Sequence, residues 1–541
     1  MDTKRLLLFV IFSFSIMMLW EAWQRDHAPQ PQQPSLAASD TSVPKAAPLQ
    51  TQAAAPQEMG TGLQQGKRIR VHTDLIEAEI DTVGGDLRRE VLLKYRESED
   101  KNKDFVLLDD LSPPKIYVAQ SGLIGNSLPT HKSLYSAPSD NFKLQDGQDQ
   151  LEVRLNWNDG NGVQVDKVYT FHRASYVADV RFEIRNGGTA VLTPSVYYQI
   201  VHDSESAKSS RVMPTFTGAA YFTEADKYKK VSFDDMRKNN LSKNADNGWI
   251  GLVQHYFVSA WIPQPGPREY YTKELSNNIF SMGEVSSLGT IQPGASLNTS
   301  ARFFAGPQEQ SHLKEVAPGL QYVVDYGWLT VIATPLFWVL STIQKLVHNW
   351  GVAIILLTVL IKLAFYPLSA TSYRSMAQMR ELAPRLQRMK EQYGDDRQKL
   401  HQAMMELYKK EKINPMGGCL PILVQIPVFI SLYWVLLGSV EMRQAPFMLW
   451  IQDLSAKDPY YVLPILMGIT MIIQTRLNPT PPDPIQAKVM QIMPVVFSVF
   501  FFFFPAGLVL YWLVNNVLSI AQQWNINRTI GQHGKKGNAK A

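Results

Sequence analysis

Long apolar runs restrict this chain more than any other feature of its sequence. One run covers residues 6–20, and the others cover 350–368, 420–437, 461–473, 489–504 and 508–520. A helix needs about 20 apolar residues to cross the hydrocarbon core of a bilayer. The last two runs are divided by Pro505-Ala506-Gly507, which is a turn signal. The sequence therefore predicts six membrane spans, of which the fourth is the shortest.

The first apolar run resembles an export signal. Lys4 and Arg5 precede it, but Trp20, Glu21 and Trp23 stand where a cleaved signal needs small residues. Tryptophans also favour the membrane interface. We predict an uncleaved signal anchor over 1–24, with a cleaved signal as the alternative.

Two soluble segments follow the anchor. Residues 25–66 are rich in Pro, Ala, Gln and Ser, so they lack the apolar surface needed for a core, and we expect a disordered linker. From 67 to 325 the pattern changes to short alternating runs, such as LEVRLNWNDGNGVQVDKVYTFHR, in which DGNG marks a hairpin turn. This pattern predicts a large all-β sandwich. The chain has one cysteine, Cys419, which excludes an intramolecular disulfide.

Charge placement predicts the orientation of the spans. The loop after the second run carries more cations than acids, whereas the loop at 438–460 does not. Short basic loops favour the cytoplasmic side, so both termini are expected inside and the β domain outside. The cations of the first loop are Arg374, Arg380, Arg385, Arg388, Lys390, Arg397, Lys399, Lys409, Lys410 and Lys412, and its acids are Glu381, Glu391, Asp395, Asp396, Glu406 and Glu411.

Residues 326–349 join the β domain to the second span. Their tryptophans, Pro335 and mixed polar residues predict an amphipathic helix that lies in the outer interface. A helix buried in the β domain is the alternative.

Motifs of several enzyme classes are absent from the sequence. It contains no GxxxxGK[ST] phosphate loop, no HExxH metal pair and no GxSxG elbow. No histidine lies in a predicted span. We therefore expect a protein that is not an enzyme and has no catalytic residues, cofactor or metal site.

Lys362 interrupts the second apolar run. A cation within a span is unfavourable by about 2.5 to 3.5 kcal/mol on insertion scales, and it usually faces water or a partner. Lys362 is nearer the predicted cytoplasmic end, however, so its side chain could instead extend to the inner interface. The residue by itself leaves both interpretations open.

Polar residues in three predicted spans favour the first interpretation. Thr358 lies one helical turn before Lys362, Gln425 lies in the third span, and Tyr511 and Asn515 lie one turn apart in the sixth span beside Trp512. Each residue alone could make an ordinary interhelical hydrogen bond. Together they predict a hydrated cavity that opens inward.

The basic loop at 373–413 carries two helical apolar stripes, separated by Gly394-Asp395-Asp396. This pattern predicts a cytoplasmic hairpin of two amphipathic helices. Methionine-rich faces can adapt to varied apolar partners, although the stripe could equally form the interior of the hairpin. The stripe residues are Met376, Met379, Leu382, Leu386, Met389, Leu400, Met404 and Leu407.

Two long motifs resemble a known family. NPMGGCLPILVQIPVFISLYWVLLGS, from 414, and FFPAGLVLYWLVNN, from 503, are similar to the corresponding spans of the YidC family of membrane protein insertases. The signal anchor, linker and large outer β domain resemble the Gram-negative form, so the resemblance covers nearly the whole chain.

The resemblance implies a five-span insertase core over 350–525, with a hydrophilic groove open to the cytoplasm and to lipid. The groove would hold Lys362, where the bacterial family usually has arginine, together with Thr358, Gln425, Tyr511, Trp512 and Asn515. It also implies a β supersandwich of the sugar-mutarotase type in the periplasm and a basic cytoplasmic tail at 526–541. Lysine keeps the charge but lacks the planar fork of arginine.

The family further implies a bacterial inner-membrane insertase and chaperone that acts alone or with the Sec translocon. Nascent membrane proteins and lipids are the expected partners, the ribosome is a candidate partner of the hairpin and tail, and no DNA is expected. A small-solute permease or channel remains an alternative, as does a scaffold whose spans only anchor a binding domain.

Overall fold

The computed structural model describes residues 63–98, 100–110, 115–205, 215–276, 278–394, 396–411, 420–478 and 484–538. The predicted signal anchor and nearly all of the linker lie outside these residues, as does Cys419. Their predictions are therefore untested by the structure.

The first described part is all-β apart from two short helices, and it has two sheets. One sheet has ten strands in the order β13-β16-β17-β10-β5-β3-β2-β1-β6, with β4 on β3, and the other has eight in the order β12-β11-β14-β15-β18-β9-β8-β7. The predicted all-β domain is thus confirmed. The strands are β1 Arg68–His72, β2 Ile76–Asp81, β3 Asp86–Arg96, β4 Asp104–Leu108, β5 Tyr117–Ile124, β6 Asn141–Lys143, β7 Gln150–Asn158, β8 Val163–His172, β9 Val177–Asn186, β10 Ser195–Asp203, β11 Gly218–Thr223, β12 Lys227–Val231, β13 Ser242–Ala245, β14 Trp249–Val253, β15 Phe257–Pro263, β16 Arg268–Ser276, β17 Ile279–Ser287 and β18 Ser296–Pro307.

The hairpin of β7 and β8 shows how the local sequence sets the sheet register. Asp159 Oδ1 accepts hydrogen bonds from the backbone N–H groups of Asn161 and Val163, at 2.8 and 2.9 Å. Gly160 and Gly162 both have positive φ, which glycine adopts without steric cost. Asn158 consequently pairs with Gln164, and Val153, Leu155 and other alternate residues enter the core between the sheets.

The second part is helical. Its helices form a core separate from that of the β domain, with buried Ile354, Leu432, Met467 and Val509. The α-helices of the described residues are α1 Phe233–Lys238, α2 Gln310–Val316, α3 Thr330–Val347, α4 Trp350–Ala364, α5 Tyr366–Tyr393, α6 Arg397–Lys410, α7 Leu420–Gly438, α8 Val462–Leu477, α9 Pro484–Phe501 and α10 Ala506–Asn538.

Two predicted helix breaks are present. The chain turns between α9 and α10 at residues 502–505, so the predicted break is present, but Ala506 and Gly507 of the predicted turn already belong to α10. At the other break, Asp396 caps α6 by accepting a hydrogen bond from the N–H of Lys399, at 3.1 Å. Helix α5 begins at Tyr366, with Pro367 in its first turn, so the first hairpin helix starts before residue 373.

Among the described residues, one helical segment, Gly327–Val347, is by itself long and apolar enough to cross a membrane. Trp350–Ala364 and Tyr366–Met379 meet the same criteria only as a pair, and they are bent by 68°. Three other apolar helices, Val424–Gly438, Val462–Leu477 and Ala487–Phe501, are shorter. The six-span topology therefore stays a prediction.

Helix α3 occupies the region that is predicted to lie in the membrane interface. It packs on α4 and α7, and its buried Ala333 and Leu340 belong to the helical core. This packing contradicts the alternative of a helix buried in the β domain. Val331 and Leu346 are exposed. The interfacial position itself stays a prediction, because length and composition would also permit α3 to cross the membrane.

The loop after α7 connects the helical part to the β domain through several hydrogen bonds. Arg443 Nη2 donates a hydrogen bond to the backbone oxygen of Arg96 at 2.6 Å, and its guanidinium lies 5.1 Å from the ring centroid of Phe105. Gln444 donates to the same oxygen at 2.9 Å. On the other side, His255 Nε2 donates to the carbonyl of Leu437, at 3.0 Å. These contacts fix the end of α7 against the edge of the sandwich.

Candidate functional site

The candidate site is centred on Lys362, in the last turn of α4. Its side chain is buried, and its Nζ donates a hydrogen bond to Ser519 Oγ in α10, at 2.7 Å. Ser519 Oγ in turn donates to the backbone oxygen of Asn515, at 2.7 Å. The position in the last turn is favourable for a cation, because the helix dipole places partial negative charge there.

Asn515 connects this contact to a third helix. Gln425 Nε2 in α7 donates to Asn515 Oδ1, at a long 3.4 Å. Thr358 is buried one turn before Lys362, and its hydroxyl donates to the Ile354 carbonyl of its own helix, at 2.7 Å. The structure therefore brings Lys362, Asn515 and Gln425 into one polar network over α4, α10 and α7.

Tyr511 and Trp512 form the aromatic side of the site. Both ring centroids lie 5.3 Å from that of Phe429 in α7. Trp512 also lies 5.4 Å from Phe501. All six residues predicted from the sequence thus lie on α4, α7 and α10. Lys362, Asn515 and Gln425 share the polar network, Thr358 lies one turn before Lys362, and the two aromatic residues lie beside Phe429.

Sequence reasoning missed Ser519 and Gln523. Both are buried, and with Tyr511 and Asn515 they form a stripe of one residue every four along α10. Gln523 Nε2 donates to Asn478 Oδ1 at the end of α8, at 3.1 Å. The stripe was visible as a spacing, but it continues past residue 520, where the last apolar run ends.

Within the part of the chain that the structure describes, no carboxylate forms an ion pair with Lys362. Its ammonium has three N–H donors, and Ser519 accepts from one of them. A buried charge without a counter-ion is unfavourable unless water or a polar partner solvates it. The site is therefore suited to receive a polar or anionic group, and a hydrated space that opens toward the cytoplasm stays a prediction.

The described residues contain no group of three or more His, Cys, Asp or Glu side chains that could hold a metal ion.

The hairpin of α5 and α6 packs its apolar stripe in its own interior. Leu382 and Leu386 of α5 are buried against Met404, Leu407 and Tyr408 of α6. Arg385 and Glu411 also form an ion pair of 2.7 Å across the hairpin. This arrangement favours the hairpin-core interpretation of the stripe.

Two family models match the chain in succession. The YidC periplasmic domain matches residues 68–339, and the 60Kd inner membrane protein family matches 342–533. The second match contains the whole candidate site. The predicted periplasmic β domain and inner-membrane helical part are both consistent with these matches.

Individual proteins are similar over the full length. The chain is 70% identical to the membrane protein insertase YidC of Methylobacillus flagellatus, over 100% of both chains. It is 54% identical to the membrane protein insertase YidC of Nitrosospira multiformis, over 98% of both. A crystal structure of an active YidC insertase is 20% identical over 85% of this chain and 93% of that chain, with a TM-score of 0.40. The chain belongs to the YidC family of membrane protein insertases.

Proposed function

We propose that this protein inserts nascent membrane proteins into the bacterial inner membrane, and that the site around Lys362 receives the polar flank of the entering segment. The observation that carries the proposal is a buried ammonium held by Ser519, with no carboxylate partner among the described residues. The insertase names of the relatives, which match over the full length, support it.

Lys362 supplies a positive potential within an apolar helix bundle. Electrostatic attraction is stronger there than in water, so an acidic flank gains more from this charge than it would at the protein surface. The hydrogen bond to Ser519 holds the ammonium toward α10 and uses one of its three donors. The other two can hydrogen-bond a substrate carboxylate, a backbone carbonyl or water.

We assign two different roles to the remaining site residues. Gln425 and Asn515 offer amide groups that can exchange their mutual 3.4 Å contact for contacts with a substrate backbone. Tyr511, Trp512 and Phe429 offer apolar surface to the segment that will become a span. Transfer of that segment into lipid supplies the driving force, so no nucleotide is needed.

The finer architecture belongs to the same proposal. We infer a five-span core with an N-terminal anchor, both termini in the cytoplasm, the β supersandwich in the periplasm and the hairpin in the cytoplasm. The two family models support the coarse division. Cooperation with the Sec translocon and ribosome contact through the basic hairpin and tail also fit this topology.

The test uses liposomes that contain only the purified full-length protein. A single-span substrate with an acidic, neutral or basic outer tail is added, and insertion is measured as protection of the tail from protease. Lys362→Ala is expected to reduce protection of the acidic tail most. Lys362→Arg is the matched control, because it keeps the charge, and it should preserve protection.

Two outcomes would contradict parts of the proposal. If Lys362→Ala reduces protection of all three tails equally, the electrostatic role of Lys362 is refuted, but the insertase function is retained. Protection no better than in empty liposomes would remove the insertase function, and solute flux through the same liposomes would then test the permease.

A further inference from the structure

A cleft lies at the junction of the β domain and the helical part. Its volume is about 400 Å³, within the usual range for small-molecule sites. We call it the junction cleft. Residues that line it include Phe216, Lys230, Trp328, Leu329, Trp434 and Leu437. It is outside the site around Lys362.

An exposed apolar stripe on α7 leads into the junction cleft. Ile426, Ile430 and Trp434 follow one another at four-residue spacing, and they are 42%, 38% and 37% exposed. At 1.5 Å per residue the stripe is about 12 Å long. Trp434 is both the last residue of the stripe and a wall of the cleft. If α7 lies in the bilayer, as proposed above, this surface is continuous from lipid to cleft.

Two polar residues of the lining, His255 and Gln308, already have partners within the protein. His255 donates to the Leu437 carbonyl, and Gln308 Nε2 donates to the backbone oxygens of Gln254 and Phe257, each at 2.7 Å. A peptide would bring backbone N–H and C=O groups that need new partners. An apolar chain has no such requirement, so the lining favours a hydrocarbon occupant.

One cation stands at the cleft. Lys230 Nζ forms a 2.8 Å ion pair with Asp325 and lies 5.0 Å from the ring centroid of Phe216. The ion pair uses one of its three donors. Trp328 is 79% exposed at the start of the segment that is long enough to span a membrane. Tryptophan and lysine together are typical of the depth at which phosphate headgroups lie.

We propose that the junction cleft binds a phospholipid of the outer leaflet, with an acyl chain against Trp434 and Leu437 and the phosphate at Lys230. This inference rests on the proposed function, because it requires α7 to lie in the bilayer. The bound lipid would fill the gap between the β domain and the membrane helices at the point where they join.

The test uses the full-length protein in vesicles of phosphatidylethanolamine and phosphatidylglycerol, with a trace of phospholipid that carries a photoreactive diazirine in its acyl chain. After illumination, labelled residues are mapped by mass spectrometry. We expect label on the α7 stripe and, diagnostically, on Phe216, because that residue belongs to the β domain and lines the cleft.

Two variants and a control define the site. Gly438→Leu places a side chain in the cleft, where a Cβ would first meet Tyr326 at 3.9 Å, and it should abolish label on Phe216 while leaving label on Ile426 and Ile430. Lys230→Glu should reduce label on Phe216 about fivefold, since one lysine near a membrane surface contributes about 1 kcal/mol. Lys229→Glu, on the same strand but not at the cleft, should leave it unchanged.

Several results would overturn the inference. If the stripe is labelled but Phe216 is not, the lipid site is refuted and the proposed function is unaffected. Absence of label from both would show that α7 is not in lipid, which contradicts both proposals. If Phe216 is replaced by a photoreactive residue and crosslinks to residues 1–24, the cleft holds the N-terminal segment instead of lipid.

Discussion

Lys362 Nζ lies 2.7 Å from Ser519 Oγ, although 157 residues separate them in the sequence. The Ser519 hydroxyl donates a hydrogen bond to the backbone oxygen of Asn515 and accepts one from the Lys362 ammonium. This geometry directs the one cation of α4 toward α10 and away from the surface of the bundle.

Ser519→Ala should selectively weaken insertion of substrates with acidic tails. A hydrogen bond to a charged group contributes about 1.5 to 3 kcal/mol, so its loss reduces efficiency by about tenfold to a hundredfold if the ammonium moves away from the site. Ser519→Thr keeps the hydroxyl and should retain most of the activity. The measurement is the ratio of acidic-tail to neutral-tail protection in liposomes.

Ser431→Ala is the matched control for Ser519→Ala. Ser431 is also buried and also donates to the carbonyl four residues earlier, but it does not contact Lys362. An equal loss in both variants would mean that Ser519 acts through helix packing rather than by positioning the charge.

Arg443→Lys should loosen the β domain from the helical part. Lysine cannot reproduce the two guanidinium contacts, with the Arg96 carbonyl at 2.6 Å and with Ser98 Oγ at 3.2 Å, or stack as well on the rings of Phe105 and Phe257. Faster hydrogen exchange is expected at the Arg96 N–H, which donates to Gln444.

The control for Arg443→Lys lies within the β domain. Arg237 also lies over a ring, 5.3 Å from the centroid of Phe280. Arg237→Lys should leave exchange at Arg96 unchanged. Unchanged exchange in the Arg443 variant would show that the loop after α7 docks without the guanidinium.

The junction should weaken as pH rises from about 5 to 8. Burial, and then the nearby Glu309, raise the pKa of Glu441 to about 7. The folded state therefore holds a proton that the unfolded state releases at lower pH. Ionisation of buried Glu441 therefore destabilises the folded junction. This destabilisation is absent below the ordinary carboxyl pKa, grows as pH rises, and is complete above about pH 7, with an upper limit of about 3 kcal/mol.

Glu441→Gln tests this pH dependence. The variant should dock more firmly at pH 8 and lose most of the difference between pH 5 and pH 8, as read by hydrogen exchange at residues 439–445. Glu315→Gln, at an exposed carboxyl, is the control. The same pH slope in wild type and Glu441→Gln would assign the effect to another group.

Lys167→Met should destabilise the β domain by about 3 to 5 kcal/mol. Lys167 Nζ donates to the carbonyls of Gly84 and Ser121, at 2.9 and 3.0 Å, and lies 3.7 Å from the buried carboxylate of Asp86. Removal of the ammonium leaves these groups without that partner. Denaturant unfolding of the full chain, followed by exchange at β3 and β8, measures the change.

Lys229→Met on exposed β12 is the comparison for Lys167→Met, and it should change the free energy of unfolding by less than about 0.5 kcal/mol. A Lys167 variant as stable as this control would show that methionine packing compensates for the lost hydrogen bonds.

Local patterns predicted local structure well. The DGNG turn between β7 and β8, the break before Asp396 and the turn before α10 all follow from the conformational preferences of a few residues. The strand pattern made no prediction for Lys167, which occupies an inward position between Val165 and Tyr169. Its partners come from β3, β5 and the turn before β3, all in the other sheet, and a strand pattern contains no information about them.

The sequence by itself predicted the all-β domain, the apolar helices and six residues of the candidate site, because alternation, apolar length and turn residues act over short distances. The tertiary structure alone decided which groups meet: Lys362 with Ser519, Arg443 with Arg96, and the junction cleft between Trp434 and Phe216. These pairings are far apart in the chain, and they depend on how helices and sheets pack, which no local preference specifies.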